Sequence, residues 1–215
     1  MTYLQIVNAV LRKLREEQVT TVAETDYSVL VGDFVNDAKR LVEDAWDWTA
    51  LRTTKNITTV AGTPTYSLTD FGQRSKILYV HNDTQNCIVS QESLQRIREM
   101  NLGTDNAQGT LNYYAVSGLD SNGDTQITFY QTPNSAVSVN VYGVKRPADL
   151  ENDSDELLIP AQPVIQWAYS YALRERGETG GQSGSEQAIF AKNDMATAIS
   201  LDAGQHPEEL LWTTV

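Results

Sequence analysis

The most regular pattern in the chain is a run of apolar residues at three- and four-residue steps: Tyr27, Leu30, Val31, Phe34, Val35, Ala38, Leu41, Val42, Ala45 and Trp48. That spacing lines up one face of an amphipathic helix. Asp33, Asp37, Lys39, Arg40, Glu43, Asp44 and Asp47 fall on the opposite face and read as solvated. The helix expected before it, over residues 2–17, opens with Thr2 and Gln5 at capping-box spacing. Its stripe of Leu4, Val7, Leu11 and Leu14 is narrow and requires a partner helix.

The period changes near residue 51. Seven short runs rich in β-branched and aromatic residues follow, near 55–60, 65–68, 77–81, 87–89, 113–116, 126–130 and 137–142. Val60-Ala61-Gly62-Thr63-Pro64 is placed to turn the first run into the second, and Ser121-Asn122-Gly123-Asp124 sets an Asn-Gly turn between two alternating segments. One helix interrupts the strands, over 90–100, with Leu94 and Ile97 facing inward. The region as a whole looks too polar for a large core of its own, so a small sheet leaning on other elements is expected.

Helical spacing returns over 160–176, with Pro160 and Pro163 at its start, and over 185–203, where Ala188, Ala191, Met195, Ala198, Ile199 and Asp202 share one side. Residues 177–184, rich in Gly and Ser, read as the linker between them. Pro207 prevents a simple continuation of the last helix, and Leu210, Leu211 and Trp212 follow it. Apolar residues so placed either dock on a partner or fold back on their own subunit. The fold class expected is therefore α+β: a helical bundle from residues 1–50 and 160–203, an inserted small antiparallel β subdomain over 51–150, and an extended C-terminal tail over 204–215.

Composition narrows the chemistry. Sixteen Lys and Arg against twenty-eight Asp and Glu leave a formal charge of −12 on 215 residues, which excludes a uniform positive field for gripping nucleic acid. The same charge suits a wall past which DNA must move without sticking. Cys87 stands alone, so it makes no internal disulfide or thiolate zinc site and reads as a small strand residue in a reducing compartment. With only His81 and His206, there is little from which to build a Ser-His-Asp triad or a multi-histidine metal site. Gly177-Glu178-Thr179-Gly180-Gly181 lacks the Gly-Lys-Ser/Thr ending of a phosphate loop. The acidic runs Glu151-Asn152-Asp153-Ser154-Asp155-Glu156 and Asp120-Ser121-Asn122-Gly123-Asp124 lack full calcium-loop spacing and read as solvated turns. No catalytic residue, cofactor or metal is assigned, and a non-enzymatic protein is expected. No segment approaches the roughly 20 apolar residues of a membrane span, and the first residues show no leader pattern, so a soluble protein made in the cytoplasm is expected.

Four stretches carry a resemblance: Thr2-Tyr3-Leu4-Gln5-Ile6-Val7-Asn8, Leu11-Arg12-Lys13-Leu14-Arg15-Glu16-Glu17, Asp33-Phe34-Val35-Asn36-Asp37-Ala38-Lys39 and Trp46-Asp47-Trp48-Thr49-Ala50-Leu51-Arg52. Together with the order of elements, they resemble bacteriophage head-to-tail adaptor (connector) proteins of the tail tubular protein A type. The resemblance implies a virion protein at the head-tail junction: a dodecameric ring beneath the portal protein, facing a tail or nozzle protein and passing double-stranded DNA during ejection. It also implies that Leu210, Leu211 and Trp212 make the portal contact. The competing reading from the residues is a carbohydrate-binding or carbohydrate-processing phage tail component that uses the carboxylates of the β region with Tyr113, Tyr114, Tyr130 and Tyr142.

Overall fold

A computed structural model describes residues 1–102, 108–177 and 183–206. It combines α-helices with a seven-stranded sheet, an α+β fold. The chain divides into two compact units, one from Met1–Ala50 and Ala148–Val215, the other from Leu51–Pro147.

The first unit is helical. Helix α1, Tyr3–Lys13, starts on the expected capping box: the Gln5 backbone N–H donates to Thr2 Oγ1, and the Thr2 N–H donates back to Gln5 Oε1. It stops four residues short of the expected end because Leu14 caps it and Arg15 takes a left-handed φ of 60°. Its buried face is broader than the stripe in the sequence, since Tyr3, Ile6, Ala9 and Val10 join Val7, Leu11 and Leu14. Helix α2, Asp26–Ala45, buries Val31, Val35, Ala38 and Val42, whereas Leu41 is exposed. Lys39 and Glu43 are each only 1 % exposed, against the expectation of a solvated face. Their burial follows from Lys39 Nζ, which pairs with Glu43 Oε1 at 3.0 Å and donates to the Ala148 carbonyl at 2.8 Å. A buried charge survives only with such partners. Arg40 clamps Asp149, and Asn36 exchanges two hydrogen bonds with the backbone of Leu150, so the returning chain is stitched along α2.

Helices α4, Ala161–Glu175, and α5, Ser183–Ala203, complete this unit. Val164, Ile165, Ala168, Ala172 and Leu173 of α4 are buried, and α5 turns Ala191 inward. The pairs Arg174 with Gly184 and Gln166 with Gln187 and Asp194 show that α4 and α5 run antiparallel. Tyr27 with Arg176 and Phe34 with Tyr171 show the same for α2 and α4. Residues 178–182 of the expected linker and the tail residues 207–215 lie outside the described residues.

The second unit is a sheet ordered β1-β7-β3-β4-β5-β6-β2, from strands β1 (Arg52–Thr58), β2 (Thr65–Ser67), β3 (Lys76–Asn82), β4 (Cys87–Gln91), β5 (Tyr113–Leu119), β6 (Thr125–Tyr130) and β7 (Ser138–Val144). The Asn-Gly turn joins β5 to β6 as an antiparallel hairpin. The other expected hairpin does not form: β1 pairs with β7 and β2 with β6, at opposite edges of the sheet. A three-residue β2 preceded by Pro64 offers β1 little to pair with, whereas β7 matches it over seven residues. Nor is the sheet wholly antiparallel, because helix α3, Leu94–Asn101, carries the chain from β4 to a parallel β5. Ile57, Leu68, Phe71, Val80, Val89, Leu111, Tyr114, Ile127, Phe129, Val137, Val139 and Val141 form a core within this unit. The region is thus less dependent on other elements than its overall polarity suggests, because period-2 alternation puts the apolar half of each strand on one face.

Candidate assembly site

The turn after α2 is where sequence and structure converge on one place. Helix α2 ends at Ala45 because Trp46 adopts an extended conformation, φ −153° and ψ 155°. Two residues on, Trp48 is buried and its indole Nε1–H donates to the Val42 carbonyl at 2.7 Å, satisfying a helix-end acceptor that has no intrahelical partner. Trp46 points its indole elsewhere. Its Nε1–H donates to Asp202 Oδ2 at 2.9 Å, and the Thr49 backbone N–H donates to the same oxygen at 3.1 Å. The Thr49 hydroxyl also hydrogen-bonds His206 Nε2, and His206 is buried.

These contacts tie the last turn of α5, and the first residues after it, to the Trp46-Asp47-Trp48-Thr49 turn. They fix the position of residue 206 against that turn. The sequence-expected docking residues Leu210, Leu211 and Trp212 lie outside the described residues. What sequence reading missed was the anchor itself, Asp202 with Thr49 and His206. A signal for it existed: a carboxylate in the last turn of a helix opposes the helix dipole and so calls for a specific donor.

The other candidate groups are occupied locally. Asp120 accepts the backbone N–H groups of Asp124 and Asn122, which hold its carboxyl below the usual range. Asp155 accepts those of Asn152 and Glu151, with the same effect. Asp153 accepts the Val22 N–H at 2.9 Å. His81 Nδ1 hydrogen-bonds Asp83 on the sheet. Among the described residues no group of three or more His, Cys, Asp or Glu is arranged to hold a metal, and no helix is long and apolar enough to cross a membrane. The four tyrosines of the carbohydrate reading do not share one surface. Tyr114 is buried in the sheet core, while Tyr113 neighbours Tyr130 and Tyr142 stacks on Tyr79 with ring centroids 4.3 Å apart.

A family model described as SU10 adaptor protein matches residues 1–208. The chain belongs to the SU10 adaptor protein family. No curated protein matches it. Membership makes this chain a structural phage adaptor and a component of the virion, one that interacts with portal and tail proteins. The match spans both units and reaches the anchor residues Trp46, Thr49, Asp202 and His206, so the tied turn lies within the span that the family model describes.

Proposed function

We propose that copies of this adaptor close into a ring, dodecameric as in the tail tubular protein A type, seated under the portal protein with a tail or nozzle protein on its other side. Double-stranded DNA passes through the ring during ejection without sequence-specific binding, and the charge of −12 favours such passage. The protein carries no catalytic activity and needs no cofactor; it is made in the host cytoplasm and incorporated at the head-tail junction. On this reading residues 1–50 and 160–203 act as a helical bundle, 51–150 as an inserted β subdomain, and 204–215 as the docking tail.

The observation that carries the docking part is the double tie of Asp202 to Trp46 and Thr49, reinforced by His206 on Thr49. A segment that binds a partner loses less entropy on binding when its origin is already fixed. Leu210, Leu211 and Trp212 then supply the apolar contact with portal, with Trp212 as its anchor, a residue type enriched at interface hot spots. The test is removal of residues 207–215, which leaves His206 and its tie in place. The truncated subunit is expected to give an unchanged thermal transition and to lose binding to purified portal in native mass spectrometry. Portal binding at wild-type strength after that removal overturns the assignment of the tail. A full-length protein that remains monomeric at all concentrations, with and without portal, overturns the ring.

A further inference from the structure

The outer face of α5 differs from the rest of an acidic protein. Ile189, Phe190 and Leu201 are 58 %, 59 % and 71 % exposed, and among the exposed residues between Ser185 and Leu201 only Glu186 and Lys192 are charged. A large aromatic and two branched aliphatics on the outside of a helix whose other side packs on α4 mark a second packing surface. In the same unit, α2 and α4 line an open groove of about 690 Å³ formed by Leu30, Phe34, Asp37, Tyr171, Arg174 and Glu175.

We propose that α5 of one subunit seats in the α2/α4 groove of the next copy, with Ile189 and Phe190 over Leu30, Phe34 and Tyr171. This inference rests on the ring reading and names the contact that closes it. Two different patches that complement one another make a head-to-tail contact, the type that generates a ring, whereas one self-complementary patch gives only a dimer. The α5 face brings few charges of its own to a groove that carries Asp37, Arg174 and Glu175, which limits like-charge repulsion between two acidic copies.

Charge complementarity fixes the direction. Because α2 and α4 are antiparallel, Arg174 lies at the Tyr27–Arg176 end of the groove and Asp37 lies beyond Phe34 and Tyr171 toward the other end. Glu175 offsets Arg174 at that end, so the choice rests on Lys192, which meets an opposite charge when it faces Asp37 and leaves Glu186 at the Arg174–Glu175 end. That alignment runs the incoming α5 parallel to α2. Within one subunit α5 is also parallel to α2, since both are antiparallel to α4. A ring whose axis follows the helices is the arrangement that brings the neighbour's α5 in this direction, because rotation about such an axis leaves helix direction unchanged.

The test uses the full-length chain. Phe190→Asp, an exposed change, is expected to leave the circular dichroism spectrum unchanged and to abolish the ring in native mass spectrometry. Lys192→Glu is expected to raise the apparent subunit dissociation constant about tenfold, and Asp37→Lys in the same chain to restore it. In a Cys87→Ser background, Leu30→Cys with Phe190→Cys is expected to give a ladder of disulfide-linked multimers on oxidation, with neither single variant doing so. A wild-type ring that persists unchanged in Phe190→Asp, or that yields no ladder, overturns this contact while leaving the ring intact. Absence of any wild-type ring instead overturns the reading beneath it.

Discussion

Asp202 offers the sharpest test of how the adaptor's C-terminal segment is held. Replacing it with Ala removes the shared acceptor of the Trp46 indole and the Thr49 N–H, at 2.9 and 3.1 Å. Hydrogen bonds to an ionised acceptor contribute about 1.5–3 kcal/mol each, with the low end fitting a half-buried pair. Against that loss, the substitution relieves an unfavourable carboxylate near the C-terminus of a 21-residue helix, about 0.3–1 kcal/mol. The bonds win, and the expected destabilisation is about 2 kcal/mol in urea unfolding. Asp202→Asn keeps a neutral acceptor and is expected to lose about half as much. The local readout is the exchange rate of the Trp46 indole proton, assigned by its absence in Trp46→Phe. It rises in Asp202→Ala, while the Trp48 indole proton, bonded to Val42, stays protected. A stability within about 0.5 kcal/mol of wild type, together with an unchanged Trp46 exchange rate, would refute the reasoning.

Three further outcomes follow from the helical unit. Gly32→Ala places a methyl group against the hydroxyl of buried Tyr3 and 3.1 Å from Val22 Cγ1. Overpacking of about 1–3 kcal/mol outweighs the gain of about 1 in helix propensity, so urea unfolding is expected to show a net loss near 1 kcal/mol. Lys39→Met alone strands a buried Glu43 carboxylate and is expected to cost about 3–5 kcal/mol, whereas Lys39→Met with Glu43→Leu recovers most of it; an equally unstable double variant would refute the pairing. Tyr3 has its hydroxyl pushed up to about 12 by burial and by Asp33, Asp149 and Asp153. A folded-state value above the ordinary 10 gives stability that is complete below pH 10 and lost as pH rises from 10 towards 12, so Tyr3→Phe is expected to flatten that alkaline limb in a melting-temperature series.

The parts of this fold that repeat were readable in advance, and the parts that depend on distant partners were not. All seven strands sit within a few residues of the β-rich runs, and the Asn-Gly turn made the β5–β6 hairpin readable. The partners of β1 and β2 were not readable, because β1 pairs with β7 across about eighty residues and no local turn records that choice. Lys39 and Glu43 failed for a related reason. Their residue types point to solvent, and only the Ala148 carbonyl, brought over α2 by the returning chain, gives the lysine a place to be buried. Trp48 followed its periodicity into the core. Trp46 lies off that stripe, and its partner Asp202, 156 residues away, left no local sign.

Surfaces used for assembly are harder still, because they must satisfy two states. In the free subunit Ile189 and Phe190 stand in water, where each costs solubility, and they are tolerable only in small number and among neutral neighbours such as Asn193, Ala196 and Thr197. Such sparseness weakens the amphipathic signal. The inward side of α5 combines the small Ala188, Ala191 and Ala198 with Met195 and Ile199, and the outward side carries the large Ile189, Phe190 and Leu201. Small residues allow α5 to approach α4 closely, and large ones on the far side reach outward. On the proposed contact, Ile189 and Phe190 are the residues that the neighbouring subunit covers.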